Sequence, residues 1–263
     1  MRTQKKTRAG SEAAREKFAV RQCEPGELMD EMGDAFARWA KERLGQEPFL
    51  LVGLAGGRSL DGLFGKARGR LPKAMWRRIL FFPVDERIVG PADGENNARH
   101  LRAQTLRPLL AAHDIKGANV LALDARKMIK EKLGRPSRGR EGAGELAAYS
   151  HLLRSLRPDG ADLLVLGIGE DGHVASLFPG RAELKARGRD WLQVKNAPKP
   201  PPARATIAPD EIRGAKELWL VARGEGKRRA LEMLLAAAGS AKKCPARLAR
   251  ENPNGALVWT DLE

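Results

Sequence analysis

The segment at residues 162–180 is the strongest indication of the fold, because an apolar run there breaks directly into a glycine-rich loop. The run at 163–166 is typical of a buried strand, and the loop after it carries Asp171 and His173 two residues apart. In an α/β protein, ligands bind at the carboxyl ends of parallel strands, where the loops diverge. A histidine in such a loop can exchange protons near neutral pH, and an aspartate beside it can orient or charge it. The segment therefore predicts a catalytic loop.

Strand-like apolar runs alternate with helix-like segments along the rest of the chain. We predict strands at 49–54, 79–84, 119–123, 163–166, 218–221 and 256–259. We predict helices at 26–44, from about 97 to 110, at 144–156 and from about 225 onwards, with 199–202, Lys-Pro-Pro-Pro, as a stiff extended connector. This alternation implies an α/β fold with a Rossmann-like, mostly parallel sheet and helices on both faces. We expect a single domain at 18–263 after a flexible basic tail at 1–17.

The net charge of +15 is concentrated at residues 1–20 and 127–140, and elsewhere the basic residues follow helical patterns. Neither cluster interleaves aromatic residues or carries a nucleic-acid-binding signature, so we interpret them as solvated surface. A positive field of this kind would also attract phosphorylated substrates. No apolar run is long enough to span a bilayer, and Cys23 and Cys244 are interpreted as reduced structural thiols. We expect a cytoplasmic protein with no nucleic-acid or membrane partner.

Two predicted strands end in motifs that suit an anionic ligand. Gly56-Gly57-Arg58-Ser59 follows the first of them, and a glycine pair that opens a helix offers free amides to a phosphate. The motif is neither a Walker loop nor a full dinucleotide-binding fingerprint, and a simple tight turn is the alternative. Asp85-Glu86-Arg87 follows the next strand, where Asp85 could hold a proton and Arg87 could fork onto a carboxylate or phosphate. An internal salt bridge explains that motif equally well.

Three further positions complete the candidate site. His173 stands in a Gly-x-Asp-Gly-His setting, whereas His100, His113 and His151 have no partner pattern and are interpreted as surface or packing residues. No second His or Cys stands at ligand spacing from His173, so we predict no metal site. Arg204 and Lys227 are cations at later strand-loop junctions and could contact a bound anion. With so many basic residues in the chain, a plain surface role is the alternative for each.

These motifs, in this order, resemble those of a known family. They are Gly56-Gly57, Val84-Asp85-Glu86-Arg87 followed by Asn96-Asn97, the signature at 166–180, Pro201-Pro-Ala-Arg204-Ala-Thr206 and Gly224-Glu-Gly-Lys227. Over residues 20–260 the chain is similar to the 6-phosphogluconolactonases. The glucosamine-6-phosphate deaminases of the same superfamily continue after Gly-His towards Ala-Phe-Asn-Glu-Pro, whereas this chain has Ala175-Ser-Leu-Phe-Pro179, the lactonase form.

The resemblance implies hydrolysis of 6-phosphogluconolactone, a small sugar-phosphate lactone, with no metal or organic cofactor. It implies that His173 is the general base for water, oriented by Asp171 or Asp85, and that Arg87 lies near the developing oxyanion or the sugar hydroxyls. The substrate and its phosphate would be bound by Gly56, Gly57, Arg58, Ser59, Asn97, Gly169, Arg204 and Lys227. We expect a monomer or weak homo-oligomer.

The chain departs from the family pattern in its first loop, which usually reads Gly-Gly-Ser-Thr-Pro but has Arg58-Ser59-Leu60 after the glycines here. Asn96-Asn97 also replaces the usual Ser-Asn. Two other functions remain open at this point. One is a sugar-phosphate deaminase or isomerase in which Asp85 abstracts a proton next to a carbonyl. The other is a sugar-phosphate-sensing regulator, although the tail before residue 20 is too short for a helix-turn-helix.

Overall fold

The computed structural model describes residues 18–133 and 143–263, in which short strands alternate with helices. The strands are β1 (Phe18–Gln22), β2 (Leu50–Leu54), β3 (Ile79–Pro83), β4 (Asp85–Arg87), β5 (Leu163–Gly167), β6 (Leu192–Val194), β7 (Arg204–Thr206), β8 (Leu218–Ala222) and β9 (Ala256–Thr260). The helices are α1 (Leu28–Leu44), α2 (Leu63–Ala67), α3 (Lys73–Trp76), α4 (Asn97–His100), α5 (Arg107–Ala111), α6 (Ala125–Leu133), α7 (Ala143–Leu156), α8 (Pro209–Arg213) and α9 (Arg228–Leu235). The predicted tail at 1–17 lies outside the described residues.

Six strands form the main sheet in the order β1-β9-β8-β5-β2-β3, and every neighbouring pair is parallel. All five residues of β2 and all five of β8 are buried, which requires packing on both faces of the sheet. No helix in the described residues is long and apolar enough to cross a membrane. The predicted single α/β domain with a mostly parallel sheet is confirmed.

An aromatic cluster fills the core between α1, α2, α3 and the main sheet. The ring centroid of Phe36 lies 5.1 Å from that of Phe64, edge to face, and 5.8 Å from that of Trp76, stacked. Phe81 on β3 lies 5.6 Å from Phe64. Each such pair contributes roughly 0.5–1.5 kcal/mol beyond the area it buries. This cluster fixes the helices against β3 and so supports the ends of β2 and β3, where the predicted ligand motifs lie.

A second, antiparallel sheet of three short strands was not predicted from the sequence. Its order is β4-β7-β6, and it pairs Asp85 with Thr206 and Arg87 with Arg204. Each strand has only three residues, too few to show an alternating pattern, and charged residues occupy much of β4. The sheet brings the Asp-Glu-Arg motif next to the segment that follows the proline run.

The structure differs from the sequence analysis in four points of local conformation. The predicted strand at 119–123 is reduced to one bridge between Val120 and Phe81. The Asn119 side chain accepts from the Lys116 amide and donates to two backbone carbonyls, which turns the chain out of the sheet. The predicted helix at 97–110 is interrupted by a π-helical turn at 101–105, because Pro108 in α5 has no N–H for a continuous helix.

The other two differences concern the proline run and the first strand. Residues 199–202 do not form an extended connector, because the chain bends there and the Pro200–Pro201 peptide bond is cis. Strand β1, which was not predicted, pairs with β9 at the edge of the main sheet. Its residues are half-buried or exposed, so the sequence lacks the apolar run of a central strand.

Candidate active site

The order of strands changes direction between β2 and β5, and a cleft opens at their carboxyl ends. From β2 the chain winds outwards to β3, whereas from β5 it winds the other way through β8 and β9. Loops on the two sides of such a switch point diverge and leave room for a ligand. The cleft is open to solvent and encloses about 620 Å³. Eight residues from the sequence analysis line it: Gly56, Ser59, Asp85, Arg87, Gly169, His173, Arg204 and Lys227.

The loop after β5 holds His173 and Asp171 together. The Gly169 amide donates to the His173 carbonyl at 2.8 Å and the Gly172 amide donates to the Gly169 carbonyl at 2.8 Å. Gly172 has a φ of +80°, which a side chain would disfavour. The resulting tight turn places Nδ1 of His173 2.5 Å from Oδ1 of Asp171, so the second ring nitrogen is left for other partners.

The charge of Asp171 is stabilised by two neighbours. Burial disfavours its ionised form, but the hydrogen bond and charge of His173, together with the Lys199 ammonium, outweigh burial and lower the pKa of Asp171 well below its ordinary value. Nζ of Lys199 lies 3.3 Å from the same oxygen, Oδ1. Asp171 is therefore a permanent anion behind His173 across the physiological pH range.

Gly169 sits directly against the imidazole of His173. A Cβ atom at residue 169 would lie 2.0 Å from Nδ1 of His173, far inside contact distance. On another side the ring of Phe178 lies 4.7 Å from the ring of His173, centroid to centroid. The position of the imidazole thus depends on the absence of a side chain at residue 169 as well as on the Asp171 carboxylate.

Asp85 is buried and does not contact His173. Its Oδ1 accepts from Nδ2 of Asn97 at 2.9 Å, and its Oδ2 accepts from Oγ of Ser176 at 2.6 Å. Of the two carboxylates considered for orienting His173, the structure places Asp171, and not Asp85, in that position. Asn97 does not line the cleft itself, but it holds Asp85, which does.

Glu86 is fully buried and accepts three backbone hydrogen bonds, a role not foreseen from the sequence. The donors are the amides of Arg87 at 2.8 Å, Asn97 at 2.7 Å and Ala98 at 2.9 Å. The carboxylate thus ties the start of the 88–96 loop to its end. Burial, with the charge of Asp85, raises the pKa of Glu86 from its ordinary 4.5 to about 7, although the three amides offset part of the effect.

We expect Glu86 to make folding stability depend on pH. A carboxyl with a raised pKa in the folded state contributes stability below pH 4.5 that is lost as the pH rises through about 7. The difference corresponds to about 3 kcal/mol. The free energy of unfolding, measured with urea, should favour the wild type over Glu86→Gln more at about pH 5 than at about pH 8. The exposed Glu24→Gln is the control, and a pH-independent difference for Glu86→Gln would contradict the assignment.

The two arginines of the cleft are held by main-chain oxygens. Nη1 of Arg87 donates to the carbonyl and carboxylate of Glu95 at 3.0 and 3.2 Å. Arg204 is 4 % exposed and donates to the carbonyls of Lys199, Pro200 and Pro201. Burial and the charge of Arg87 lower the pKa of Arg204. Arg204 therefore shapes the proline run in addition to lining the cleft.

The loop after β2 contributes unevenly to the cleft. Gly57 has a φ of +75°, which allows the turn into Ser59, and Ser59 lines the cleft. A Cβ at Gly56 would lie 2.2 Å from the side chain of Asn97, so the two loops can meet only at a glycine. Arg58 is exposed, and it is not among the residues that line the cleft.

Lys227 and Lys199 supply two ammonium groups to the cleft. Lys227 lies on a short turn that leads into α9, and within residues 18–133 and 143–263 its side chain forms no hydrogen bond or ion pair. Lys199 was not singled out from the sequence, because it lies in the proline run that was interpreted as a connector. Glu170, also missed, belongs to the same loop as His173 and lines the same cleft.

The remaining histidines lie away from this loop. His113 and His151, interpreted as surface or packing residues, are exposed. His100 differs from the prediction, because its Nε2 lies 2.9 Å from Oδ1 of Asp61 and so has a partner. No group of three or more His, Cys, Asp or Glu side chains in the described part of the chain is arranged to hold a metal ion.

The fold and this cleft define an α/β enzyme of small anionic substrates, with an Asp–His pair and several cations at a switch point. A family model described as "Glucosamine-6-phosphate isomerases/6-phosphogluconolactonase" matches residues 24–259, and the chain belongs to that family.

Individual relatives agree with this family. The 6-phosphogluconolactonase of Borreliella burgdorferi is 29% identical over 230 residues, which cover 88% of this chain and 91% of the relative. That of Streptomyces coelicolor is 32% identical over 197 residues, which cover 72% and 71%. The crystal structure of 6-phosphogluconolactonase from Thermotoga maritima superposes with a TM-score of 0.73 at 22% identity, covering 92% of this chain and 99% of that one. The structural likeness shows the shared fold.

Proposed function

We propose that the protein hydrolyses 6-phospho-D-glucono-1,5-lactone to 6-phosphogluconate, the second step of the oxidative pentose phosphate pathway. The observation that carries the proposal is the Asp171–His173 pair at 2.5 Å in a cleft that also presents the ammonium of Lys227. Relatives named 6-phosphogluconolactonase support the choice within the family. The lactonase form of the sequence after His173 supports it as well.

His173 acts as the general base in this reaction. Asp171 holds Nδ1, so Nε2 is available to take a proton from water as the water oxygen attacks C1 of the lactone. The bond between C1 and the ring oxygen then breaks, and the ring oxygen takes the proton from the imidazolium. The products are one carboxylic acid and one hydroxyl. Asp171 stabilises the imidazolium that forms between the two steps.

Charge stabilisation comes from the other loops of the cleft. Negative charge develops on the carbonyl oxygen at C1, and backbone amides of the glycine loops, with Arg87, are the donors we assign to it. Lys227, Arg204 and Ser59 are the groups we assign to the phosphate, because all three line the cleft. We assign Arg58 only to the outer rim, since its side chain is exposed.

We place the reaction in the cytoplasm, in a monomer or weak homo-oligomer. Cys23 and Cys244 are both buried and free, which is typical of proteins in reducing compartments. Among residues 18–133 and 143–263, the large exposed apolar residues are Val20, Leu152 and Leu235, which lie on three different elements, β1, α7 and α9. Within this part of the chain they do not suggest one large interface.

Acid release from freshly made 6-phosphogluconolactone tests the function, with glucono-1,5-lactone as the matched substrate without phosphate. We expect kcat/KM to be much higher for the phosphorylated lactone. Lys227→Ala should raise KM for that lactone by about tenfold or more with little change in kcat, because an ammonium that grips the phosphate acts in ground state and transition state alike. The exposed Lys73→Ala is the control. A fall in kcat with KM unchanged would show that Lys227 does not bind the phosphate.

A further inference from the structure

Each carboxylate oxygen of Asp85 already accepts a hydrogen bond from a neighbouring side chain, although the residue lines the cleft. Oδ1 accepts from Asn97 at 2.9 Å and Oδ2 accepts from the hydroxyl of Ser176 at 2.6 Å. The residue is 5 % exposed. A short hydrogen bond from a hydroxyl to a carboxylate is charge-assisted and among the stronger kinds in proteins. Both oxygens of Asp85 are therefore hydrogen-bonded, one to Asn97 and the other to Ser176, and these two bonds fix the orientation of the carboxylate.

Ser176 is itself fixed by the small antiparallel sheet. Its amide donates to Oγ1 of Thr206 on β7 at 3.1 Å, and the residue is 1 % exposed. Thr206 in turn is paired with Asp85 across the β4–β7 ladder. The backbone of Ser176 therefore lies beside the strand that pairs with β4, and its hydroxyl separately reaches Oδ2 of Asp85.

Arg204 contacts Ser176 and lies near Asp85, but it does not replace the hydrogen bond between them. Its Nη1 lies 3.4 Å from Oγ of Ser176 and 4.0 Å from Oδ2 of Asp85. Its Nε and Nη2 are committed to carbonyl oxygens of the proline run, so the guanidinium cannot turn fully onto the carboxylate. The hydroxyl of Ser176 is the group that stands between the cation and the anion.

We propose that Ser176 determines which reaction the cleft catalyses, because its hydroxyl holds Asp85 as a fixed anion and withholds it from proton abstraction. The inference rests on the proposed function and goes one step beyond it. A sugar phosphate with a carbonyl group can react by attack of water or by loss of a proton from the carbon next to the carbonyl. The first needs His173, and the second needs a carboxylate that is oriented to take a proton from carbon. The hydrogen bond from Ser176 stabilises the ionised carboxylate and holds it in its present orientation, which favours the first route.

Solvent-deuterium exchange into fructose 6-phosphate tests the role of Ser176. In this reaction a C–H bond next to the carbonyl breaks, the proton passes to the carboxylate, and a C–D bond forms from solvent. We expect the wild type to give only the spontaneous rate in D₂O, followed by NMR. Ser176→Ala should exchange at least about tenfold faster than the wild type. This factor is smaller than the full rate contribution of a positioned base. The double variant Ser176→Ala with Asp85→Asn should return to the spontaneous rate.

Thr206→Val is the matched control, since it removes the acceptor for the Ser176 amide but leaves the hydroxyl bond to Asp85 in place. It should exchange no faster than the wild type. The proposal is overturned if a folded Ser176→Ala protein exchanges at the wild-type rate, if the wild type itself exchanges, or if Thr206→Val exchanges as fast as Ser176→Ala. Lactone hydrolysis by the wild type is measured in parallel. Absence of hydrolysis would contradict the proposed function, whereas the role of Ser176 is judged from the exchange rates alone.

Asp85→Asn in the wild-type background keeps the proposal testable if Ser176→Ala does not fold. The hydroxyl of Ser176 can accept from the new amide, so the contact survives without the negative charge. If Asp85 is an anchor, the pH profile of kcat/KM for lactone hydrolysis keeps its shape, and the loss of kcat is smaller than in His173→Ala. If the acid limb of the profile disappears, Asp85 is the proton acceptor and the proposal is wrong.

Discussion

Replacing His173 by alanine is expected to lower kcat for lactone hydrolysis by about 10²–10⁴-fold, the usual contribution of a positioned general base. The reason is local, because His173 is the only imidazole among the described residues that line the cleft, and its Nδ1 is held by Asp171. The measurement is acid release at saturating lactone, corrected for spontaneous hydrolysis. Asp171→Asn should lie between this variant and the wild type, since the amide no longer balances the imidazolium charge.

His151→Ala is the matched control for that experiment. His151 is exposed on α7 and its imidazole contacts only the hydroxyl of Ser155, so its loss should leave kcat unchanged. If His173→Ala retains near-normal hydrolysis above the spontaneous rate, the general base is another group and the assigned mechanism fails. If both variants lose activity together, the effect is one of folding.

Gly169→Ala is expected to lower kcat by about 10²-fold, the cost of a displacement of about 1 Å in a catalytic group. The new methyl group would lie 2.0 Å from Nδ1 of His173, so the ring must shift and Nδ1 cannot keep its present position beside Asp171. The backbone at residue 169 does not have a positive φ, so alanine is not excluded there by conformation. The loss should therefore appear in kcat rather than in the unfolding transition.

Gly65→Ala is the control for this variant. Gly65 lies in α2, and a Cβ there would meet no heavy atom within 4 Å. Its activity and its Tm should match or exceed those of the wild type, because alanine favours a helix. A Gly169→Ala protein with full kcat would show that the imidazole does not need its present position.

The position of the His173 loop at the end of a buried strand could be predicted from the sequence because its information is local. A buried strand at 163–166, three glycines and a histidine lie within one short segment, and the parallel fold then fixes where that segment points. The main sheet could be predicted for the same reason, since each of its inner strands is a continuous apolar run. Only strand β1, at the exposed edge, lacked that signal.

Contacts between distant segments could not be predicted in this way. The hydrogen bond from Ser176 to Asp85 joins residues 91 positions apart, and neither residue reveals its partner in the sequence. The same holds for Lys199 beside Asp171, 28 positions away. The burial of Glu86 was missed because charged residues normally face solvent, and its three amide donors become visible only when the 88–96 loop is closed.

The small sheet β4-β7-β6 has a consequence for how the enzyme is made. It pairs residues 85–87 with 204–206, so the pairing closes a loop of more than a hundred residues. Pairings of such long sequence separation pay a large entropy of loop closure and form late in folding. On the ribosome, Asp85 and Arg87 emerge well before Arg204 and Thr206. For much of its synthesis the growing chain therefore contains only part of the residues that line the cleft. The cleft can therefore be completed only after the second half of the chain has been made.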